Sequence, residues 1–248
     1  MKRPDPAHRA GAPARAALLL LLLASAACGK DMSVKLRAGD RPPNPDTPTP
    51  VPSGLAGRRV LAGGVAIDRF QIVFRDMKLQ ENPTADGSAA PGDQPIAPSL
   101  LLVDLSGAQL DKDAMTEIVA PRDVAWASYY QTVIGLAPVT ADEAAANPAL
   151  APLAGRTLVI TGRLPGGAPF TFASSMSAVL VRPSTFRNGL NHNNVTVNVE
   201  LNRWFAGPDG VALDPTDPAS QATIETNIRQ SIDAYMDDNR DGEPDPLG

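Results

Sequence analysis

Cysteine and histidine are almost absent from this sequence. Its 248 residues contain one cysteine, Cys28, and two histidines, His8 and His192. A single cysteine has no partner within the chain, so a disulfide framework is excluded. Zinc sites built from His and Cys are excluded because so few of these ligands are present. His192 lies among four asparagines in the stretch NGLNHNNV, a composition that predicts a polar turn rather than a catalytic base.

Aromatic and basic side chains are also scarce. Aromatic residues make up 4% of the chain, and the formal net charge is −5. The acidic balance argues against a nucleic-acid partner and against direct adsorption to anionic lipid, whereas it is compatible with calcium or a cationic partner. Five aromatic residues could line a sugar-binding face, but their low abundance favours core or edge positions. These residues are Trp126, Tyr129, Tyr130, Trp204 and Phe205.

The chain begins with a leader-like segment. Four basic residues lie before position 16, and a run of twelve apolar or small residues follows from Ala16 to Ala27. This run is shorter than the roughly 20 residues that a helix needs to cross a bilayer. A basic segment, a short apolar segment and a small-residue end are typical of a secretory signal peptide. We therefore predict that residues 1–27 are removed and that the protein is exported.

The residues Ser25, Ala26, Ala27 and Cys28 resemble the lipobox of bacterial lipoproteins, although that family usually has an aliphatic residue where Ser25 stands. The resemblance implies that the Cys28 thiol receives a diacylglyceryl group and becomes the new amino terminus. Several acyl chains would anchor the protein stably to a membrane, whereas one chain would be marginal. Gly29 is not the aspartate that retains many such lipoproteins at the inner membrane, so the resemblance implies an outer-membrane location in the cell envelope.

An ordinary signal peptide cut near Ala27 is the alternative, and it would leave an unmodified thiol at Cys28. An exported thiol without a partner is open to oxidation and to mixed disulfides. Lipidation removes that reactivity, and we therefore prefer the lipoprotein interpretation. Loss of residues 1–28 takes away four basic residues and one acidic residue, which changes the net charge from −5 to −8.

A proline-rich stretch follows the cysteine. Residues 29–57 contain six prolines, all between positions 42 and 52. Proline fixes φ and removes a backbone donor, so this composition is typical of an extended tether. We predict that residues 28–57 form a lipid-anchored linker that holds the folded domain away from the bilayer.

From residue 58 onward, apolar runs with two-residue alternation predict β-strands. Phe70, Ile72 and Phe74 share one parity, whereas Met77 and Leu79 share the other, which predicts a β-bulge near residues 75 and 76. Residues 156–175 predict a hairpin that turns at PGGAP. In residues 194–205, valines alternate with polar side chains, which predicts one buried and one solvated face in an antiparallel sheet.

Two segments carry helix signals. Thr140 and Glu143 form a capping-box pattern that predicts a short helix before Pro148. Residues 217–236 predict a longer helix, because Asp217 can cap it and Pro218 suits its first turn. An apolar stripe along this segment predicts the face that packs on the sheet. The stripe consists of Ile224, Ile228, Ile232 and Tyr235.

About seven strands without alternating helices predict a mainly β fold, an antiparallel β-sandwich with a C-terminal α-helix packed on it. We place this domain at residues 58–236 and an acidic tail at 237–248. A proline-rich tether, a β-sandwich and a helix leading into an Asp-rich tail together resemble a broad class of bacterial lipoproteins of unknown function. The resemblance implies a cell-envelope protein and supplies no activity.

The stretch DDNRDGEPD resembles the first part of an EF-hand calcium loop. Oxygen-bearing side chains at alternate positions, with Gly242 at the sixth, are typical of a backbone that wraps around a hard cation. A helix ending near Met236 would supply the incoming element, but Gly248 stands where the EF-hand has a bidentate Glu. A solvated acidic tail is the alternative. The candidate ligands are Asp237, Asn239, Asp241, Glu243 and Asp245.

These features favour a lipid-anchored, non-catalytic module of the cell envelope, structural or adhesive and stabilised by calcium. Its partners would be the membrane, through the lipid, and an envelope protein or glycan. One alternative is a secreted glycan hydrolase, which requires two carboxylates about 5–9 Å apart. The other is a domain that binds a glycan or small ligand through exposed aromatic residues clustered on one sheet face.

Overall fold

A computed structural model describes residues 30–38, 58–61, 63–111, 114–125, 127–187, 194–207, 211–238 and 244–245. Several residues singled out above lie outside these ranges. They are Cys28, Trp126, His192, Asn239, Asp241 and Glu243.

The described residues form twelve strands and two α-helices, joined in places by 3₁₀ turns. The strands are β1 (Lys30–Arg37), β2 (Arg59–Val60), β3 (Ala66–Gln80), β4 (Gln94–Pro95), β5 (Leu100–Ser106), β6 (Met115–Val124), β7 (Ser128–Leu136), β8 (Leu158–Arg163), β9 (Pro169–Ser174), β10 (Ala178–Arg187), β11 (Asn194–Val199) and β12 (Ile232–Met236). The helices are α1 (Ala141–Ala146) and α2 (Gln221–Ser231). The fold is a mainly β sandwich of two sheets with a C-terminal helix, as the alternation patterns predicted.

The large sheet is organised around the long strand β3. β5 runs along one side of β3, and β8 followed by β7 runs along the other; β9 and β10 extend the sheet beyond β8 and β7. The pairing of β3 with β7 shifts register between Arg75 and Lys78, and Asp76 has a φ of +46°. The bulge predicted from the change of parity is therefore confirmed. It turns Met77 and Leu79 onto the same buried core as Phe74.

The predicted hairpin is also confirmed. β8 and β9 pair in antiparallel register from Leu158↔Ser174 to Arg163↔Pro169. The turn is closed by hydrogen bonds between Leu164 and Ala168 and between Gly167 and Leu164. Gly167 has a φ of +84°, which a residue without a Cβ adopts at little cost.

The small sheet has the order β12-β11-β1-β6. β1 pairs with β6 in antiparallel register on one side and with β11 in parallel register on the other. The other described pairings between named strands are all antiparallel. The parallel pair joins residues from opposite ends of the chain, since Ser33 lies beside Asn194.

The linker prediction is wrong for residues 30–37, because they form β1, an interior strand of the small sheet. Met32, Val34 and Leu36 alternate along this strand and are fully buried in the main core. Burial of three such side chains stabilises the fold by on the order of 5–9 kcal/mol, comparable to the whole stability of a typical domain. The prolines begin only at Pro42, after the strand has ended.

A second, smaller core cluster lies between the large sheet and the segment that contains α1. Val73 and Val159 of the sheet pack there with Val139, Leu150 and Leu153. The predicted capping box is confirmed at the start of α1: Glu143 N donates to Thr140 Oγ1 at 3.2 Å, and Thr140 N donates to Glu143 Oε2 at 2.8 Å.

The long C-terminal helix is confirmed only in its first half. Asp217 caps a 3₁₀ turn by accepting from Ala219 N, α2 follows, and Ile224 and Ile228 are buried as predicted. Residues 232–236, however, form β12, which pairs with β11. The four-residue spacing of isoleucines continues into this strand, where Ile232 is buried as the helical stripe also required, so its burial does not distinguish helix from strand.

Hydrogen bonds fix the point at which α2 gives way to β12. The Arg182 guanidinium donates to the carbonyls of Arg229 and Ile232 at 2.6 Å each. Trp204 Nε1 donates to Ser231 Oγ, and that hydroxyl donates to Ile228 O, each at 2.7 Å. These contacts satisfy carbonyls that a helix terminus leaves without intrahelical donors, so the helix can end without a glycine.

Candidate functional site

Both ends of the described chain meet at one end of the small sheet. β11 is parallel to β1 and antiparallel to β12, so the starts of β1 and β11 and the finish of β12 lie together. The end of β6 lies there too, because Val124 is the partner of Lys30. We call this region the Asn194 end of the small sheet, after the residue at its centre.

Asn194 connects three strands through its side chain. Its Oδ1 accepts from Ser33 Oγ of β1 at 2.8 Å. Its Nδ2 donates to Thr196 Oγ1 at 3.1 Å and to the Asp237 carbonyl at 2.8 Å. The backbone continues the ladder, since Asp237 N donates to Asn194 O at 3.2 Å. Ser33, Asn194, Thr196 and Asp237 are all buried, so the network is shielded from competing water.

Asp237, the first candidate calcium ligand, has a carboxylate that faces this network. Its Oδ2 accepts from Thr196 Oγ1 at 3.0 Å, and the residue is fully buried. A carboxylate has about four acceptor positions, so this hydrogen bond does not itself exclude a cation. Asp237 nevertheless has a structural role here, because it joins β12 to β11 beyond their last paired residues.

Asp245, at the ninth position of the predicted loop, is brought back to the same place. Asp245 N donates to the Met236 carbonyl at 2.9 Å, and its Oδ2 accepts from Asp238 N. Asp238 Oδ1 in turn accepts from Asn194 N at 3.1 Å. The two described ends of the acidic stretch are therefore in contact.

The likeness to half an EF-hand is wrong in one respect, because the element that enters the loop is strand β12 and not a helix. Asn239, Asp241 and Glu243, the other candidate ligands, lie outside the described residues. Within the described part of the chain, no group of three or more His, Cys, Asp or Glu side chains is arranged to hold a metal ion.

The outer face of β11 differs from the prediction. Thr196, Asn198, Glu200 and Asn202 were expected to be solvated, yet Thr196 and Asn198 are buried, and Glu200 and Asn202 are half-buried. The prediction assumed an antiparallel sheet with one wet face, whereas β11 is an interior strand that pairs with β1 in parallel. The sequence is consistent with burial of Thr196 and Asn198, because they carry short hydrogen-bonding side chains. Lysine, which is rarely fully buried, does not occur among them.

Several carboxylates elsewhere in the described residues accept hydrogen bonds from cationic side chains or backbone N–H groups. Hydrogen bonds from Arg69 lower the pKa of Asp104, and hydrogen bonds from Arg75 lower the pKa of Glu143 to about 2. The pKa values of Asp86, Asp93, Asp104, Glu143 and Asp214 are all displaced downward. A general acid in glycoside hydrolysis needs the opposite displacement, so these groups offer no candidate for that role.

The aromatic residues do not form an exposed cluster in the described part of the chain. Tyr129, Trp204 and Phe205 are buried, whereas Tyr130 is 48% exposed. Trp204 packs edge-to-face on Phe70 with ring centroids 5.1 Å apart, and Phe205 packs similarly on Phe170 at 5.7 Å. The interpretation of Tyr129, Trp204 and Phe205 as core residues is confirmed.

No helix among the described residues is long and apolar enough to cross a membrane. Comparison with protein-family models, with curated proteins and with solved structures finds no match to this chain.

Proposed function

We propose that this protein is a lipid-anchored, non-catalytic module of the cell envelope, acylated at Cys28, with a structural or adhesive role. The observation that carries the proposal is the basic and apolar leader that ends in small residues directly before the only cysteine. The sandwich that follows suits such a role, since the side chains of Asn194, Asp237, Asp104 and Glu143 each bind other groups of the protein. The outer membrane is the proposed location, on the basis of Gly29.

Calcium is the proposed stabilising ion, bound by the loop that contains Asp237, Asn239, Asp241, Glu243 and Asp245. The contact between Met236 and Asp245 supports this idea, because it brings together the two described ends of the acidic stretch. A bound cation would reduce the repulsion among these carboxylates and so favour this contact. An envelope protein or glycan is the proposed binding partner.

The experiment that tests the anchoring proposal is an intact-mass measurement on protein extracted from membranes of the expressing cells. We expect residues 1–27 to be absent and the mass to include acyl chains on Cys28. The Cys28→Ala variant should carry no acyl mass and should leave the membrane fraction. A mature parent protein without acyl chains would refute the proposal.

The hydrolase and ligand-binding alternatives make different predictions. A carboxylate-dependent hydrolase would lose activity on glycans when one of two facing carboxylates is replaced. A ligand-binding domain would need a cluster of exposed aromatic side chains, whereas the described aromatic residues are mostly in the core. No specific observation on the described residues favours either alternative.

A further inference from the structure

We infer that the Asn194 end of the small sheet lies directly against the bilayer, with no spacer between lipid and domain. The inference rests on the proposed acylation of Cys28. Only Gly29 separates Cys28 from Lys30, the first residue of β1. Two residues of chain span at most about 7 Å, so the start of β1 must lie within that distance of the acylated residue.

β1 cannot supply a longer tether by leaving the sheet. It lies between β11 and β6 and pairs with both along most of its length. Met32, Val34 and Leu36 are fully buried in the main core. Release of this strand would therefore disrupt the small sheet and the sandwich together, so the distance between lipid and sheet stays short in the folded protein.

The bilayer-facing surface follows from the register of the small sheet. Asp31 is the partner of Asp123, which places the end of β6 beside the start of β1. Asp238 lies at the same end, where its Oδ1 accepts from Asn194 N, and Asp245 lies beside it, where its Oδ2 accepts from Asp238 N. Arg37 lies at the opposite end of β1, about 23 Å from Lys30 at the rise of a strand.

The chemistry of this end indicates which lipid surface it fits. Asp123 is exposed, Asp238 and Asp245 are partly exposed, and Arg122 is the neighbouring exposed cation on β6. Among the described side chains at this end, three carboxylates and one guanidinium give an acidic balance, which anionic headgroups repel. A zwitterionic phospholipid surface is therefore the partner that we assign, and the acyl chains supply the attachment.

The proline-rich segment therefore does not separate the lipid from the domain, because it follows β1 in the chain. It follows Ala38, beyond the end of β1 that points away from Lys30, and it precedes β2 of the large sheet. It therefore connects the two sheets of the sandwich. Lengthening it would leave the distance from lipid to sheet unchanged, whereas an insertion after Gly29 would increase that distance.

The test compares two exposed positions on β6, Asp123 and Glu117. Their partners on β1, Asp31 and Lys35, are four residues apart, which corresponds to about 13 Å along the strand. Each variant, Asp123→Cys or Glu117→Cys, is acylated in cells and reconstituted in zwitterionic vesicles. A thiol-reactive fluorophore is attached, and quenching by lipids with a nitroxide on the headgroup is measured. Acylation consumes the Cys28 thiol, so the introduced cysteine is the single labelling site.

We expect the probe at Asp123 to be quenched several-fold more strongly than the probe at Glu117. A ten-residue Gly/Ser insertion between Gly29 and Lys30 should abolish most of that difference. Arg122→Cys provides a second probe near the bilayer if Asp123→Cys fails to fold. Equal quenching at the two ends of β6 in acylated protein would overturn this inference alone. Labelling of the parent protein at Cys28, with no acyl mass, would overturn the proposed function and this inference with it.

Discussion

Polar side chains on the small sheet and on the large sheet bind different kinds of partner. On the small sheet, Asn194 and Thr196 are buried and bind neighbours through short, mostly uncharged groups. On the large sheet, pairs such as Arg69–Asp104 and Arg75–Glu143 are partly exposed and rely on opposite charge. Exposed ion pairs contribute little to stability, whereas a buried donor or acceptor that loses its partner is costly. We therefore expect the small sheet to be much more sensitive to polar substitutions.

Asn194→Ala should cause the largest loss in the free energy of unfolding. This change removes the partners of Ser33 Oγ, Thr196 Oγ1 and the Asp237 carbonyl in a buried environment. The expected loss in the free energy of unfolding is about 3 kcal/mol, measured by urea denaturation. Asn82→Ala is the matched control, because Asn82 is exposed and donates only to Pro91 O. A similar loss for both variants would contradict the contrast between buried and exposed polar groups.

A second substitution, with a nearly equal expected loss of stability, tests whether β1 belongs to the sandwich. Val34→Ala removes two methyl groups from a fully buried position and should lower the free energy of unfolding by about 2–3 kcal/mol. Val179→Ala makes the same change on β10 where the side chain is 56% exposed, and it should cost less than about 0.5 kcal/mol. If residues 30–37 were a tether in solution, Val34→Ala would be as neutral as Val179→Ala.

Calcium should have a smaller effect, confined to the Asn194 end. A free calcium concentration ten times the dissociation constant would stabilise the protein by about 1.4 kcal/mol, which raises Tm by about 3–5 °C for a domain of this size. Asp241→Ala should abolish this rise. Asp86→Ala, in a loop of the large sheet, should leave it intact. A parent protein whose Tm does not respond to calcium would refute the calcium proposal.

The smallest effect should come from the ion pair on the large sheet. Arg75 holds the pKa of Glu143 at about 2, below the ordinary value of 4.5. A lowered pKa in the folded state means that the paired carboxylate stabilises the protein above pH 4.5 and that this contribution is lost as the pH falls towards 2. Glu143→Gln should therefore reduce the slope of stability against pH in that window. An unchanged slope, measured by urea denaturation from pH 2.5 to 5.5, would show that the pair contributes nothing.

The elements that were predicted correctly depend on neighbouring residues. The change of parity after Phe74 indicated the bulge, the PGGAP turn indicated the β8–β9 hairpin, and Thr140 with Glu143 indicated α1. Each of these signals lies within a few residues of the structure that it specifies. Such patterns were sufficient for the fold class and for most strands of the large sheet.

The small sheet was harder to predict because its strands come from distant parts of the chain. Ser33 and Asn194 are 161 residues apart in sequence yet hydrogen-bonded in the fold. The alternation of Met32, Val34 and Leu36 was present in the sequence, but the nearby prolines favoured a tether. For β12, a helical spacing of isoleucines continued into a segment that pairing with β11 makes extended.

Local sequence alone determined the mainly β composition, the turns and the helix caps, because each depends on the chemistry of adjacent residues. Tertiary structure decided that residues 30–37 are an interior strand, that α2 ends at Ser231, and that Asn194, Thr196 and Asp237 form one buried network. These outcomes depend on hydrogen bonds and buried surface between distant segments, which no local pattern encodes.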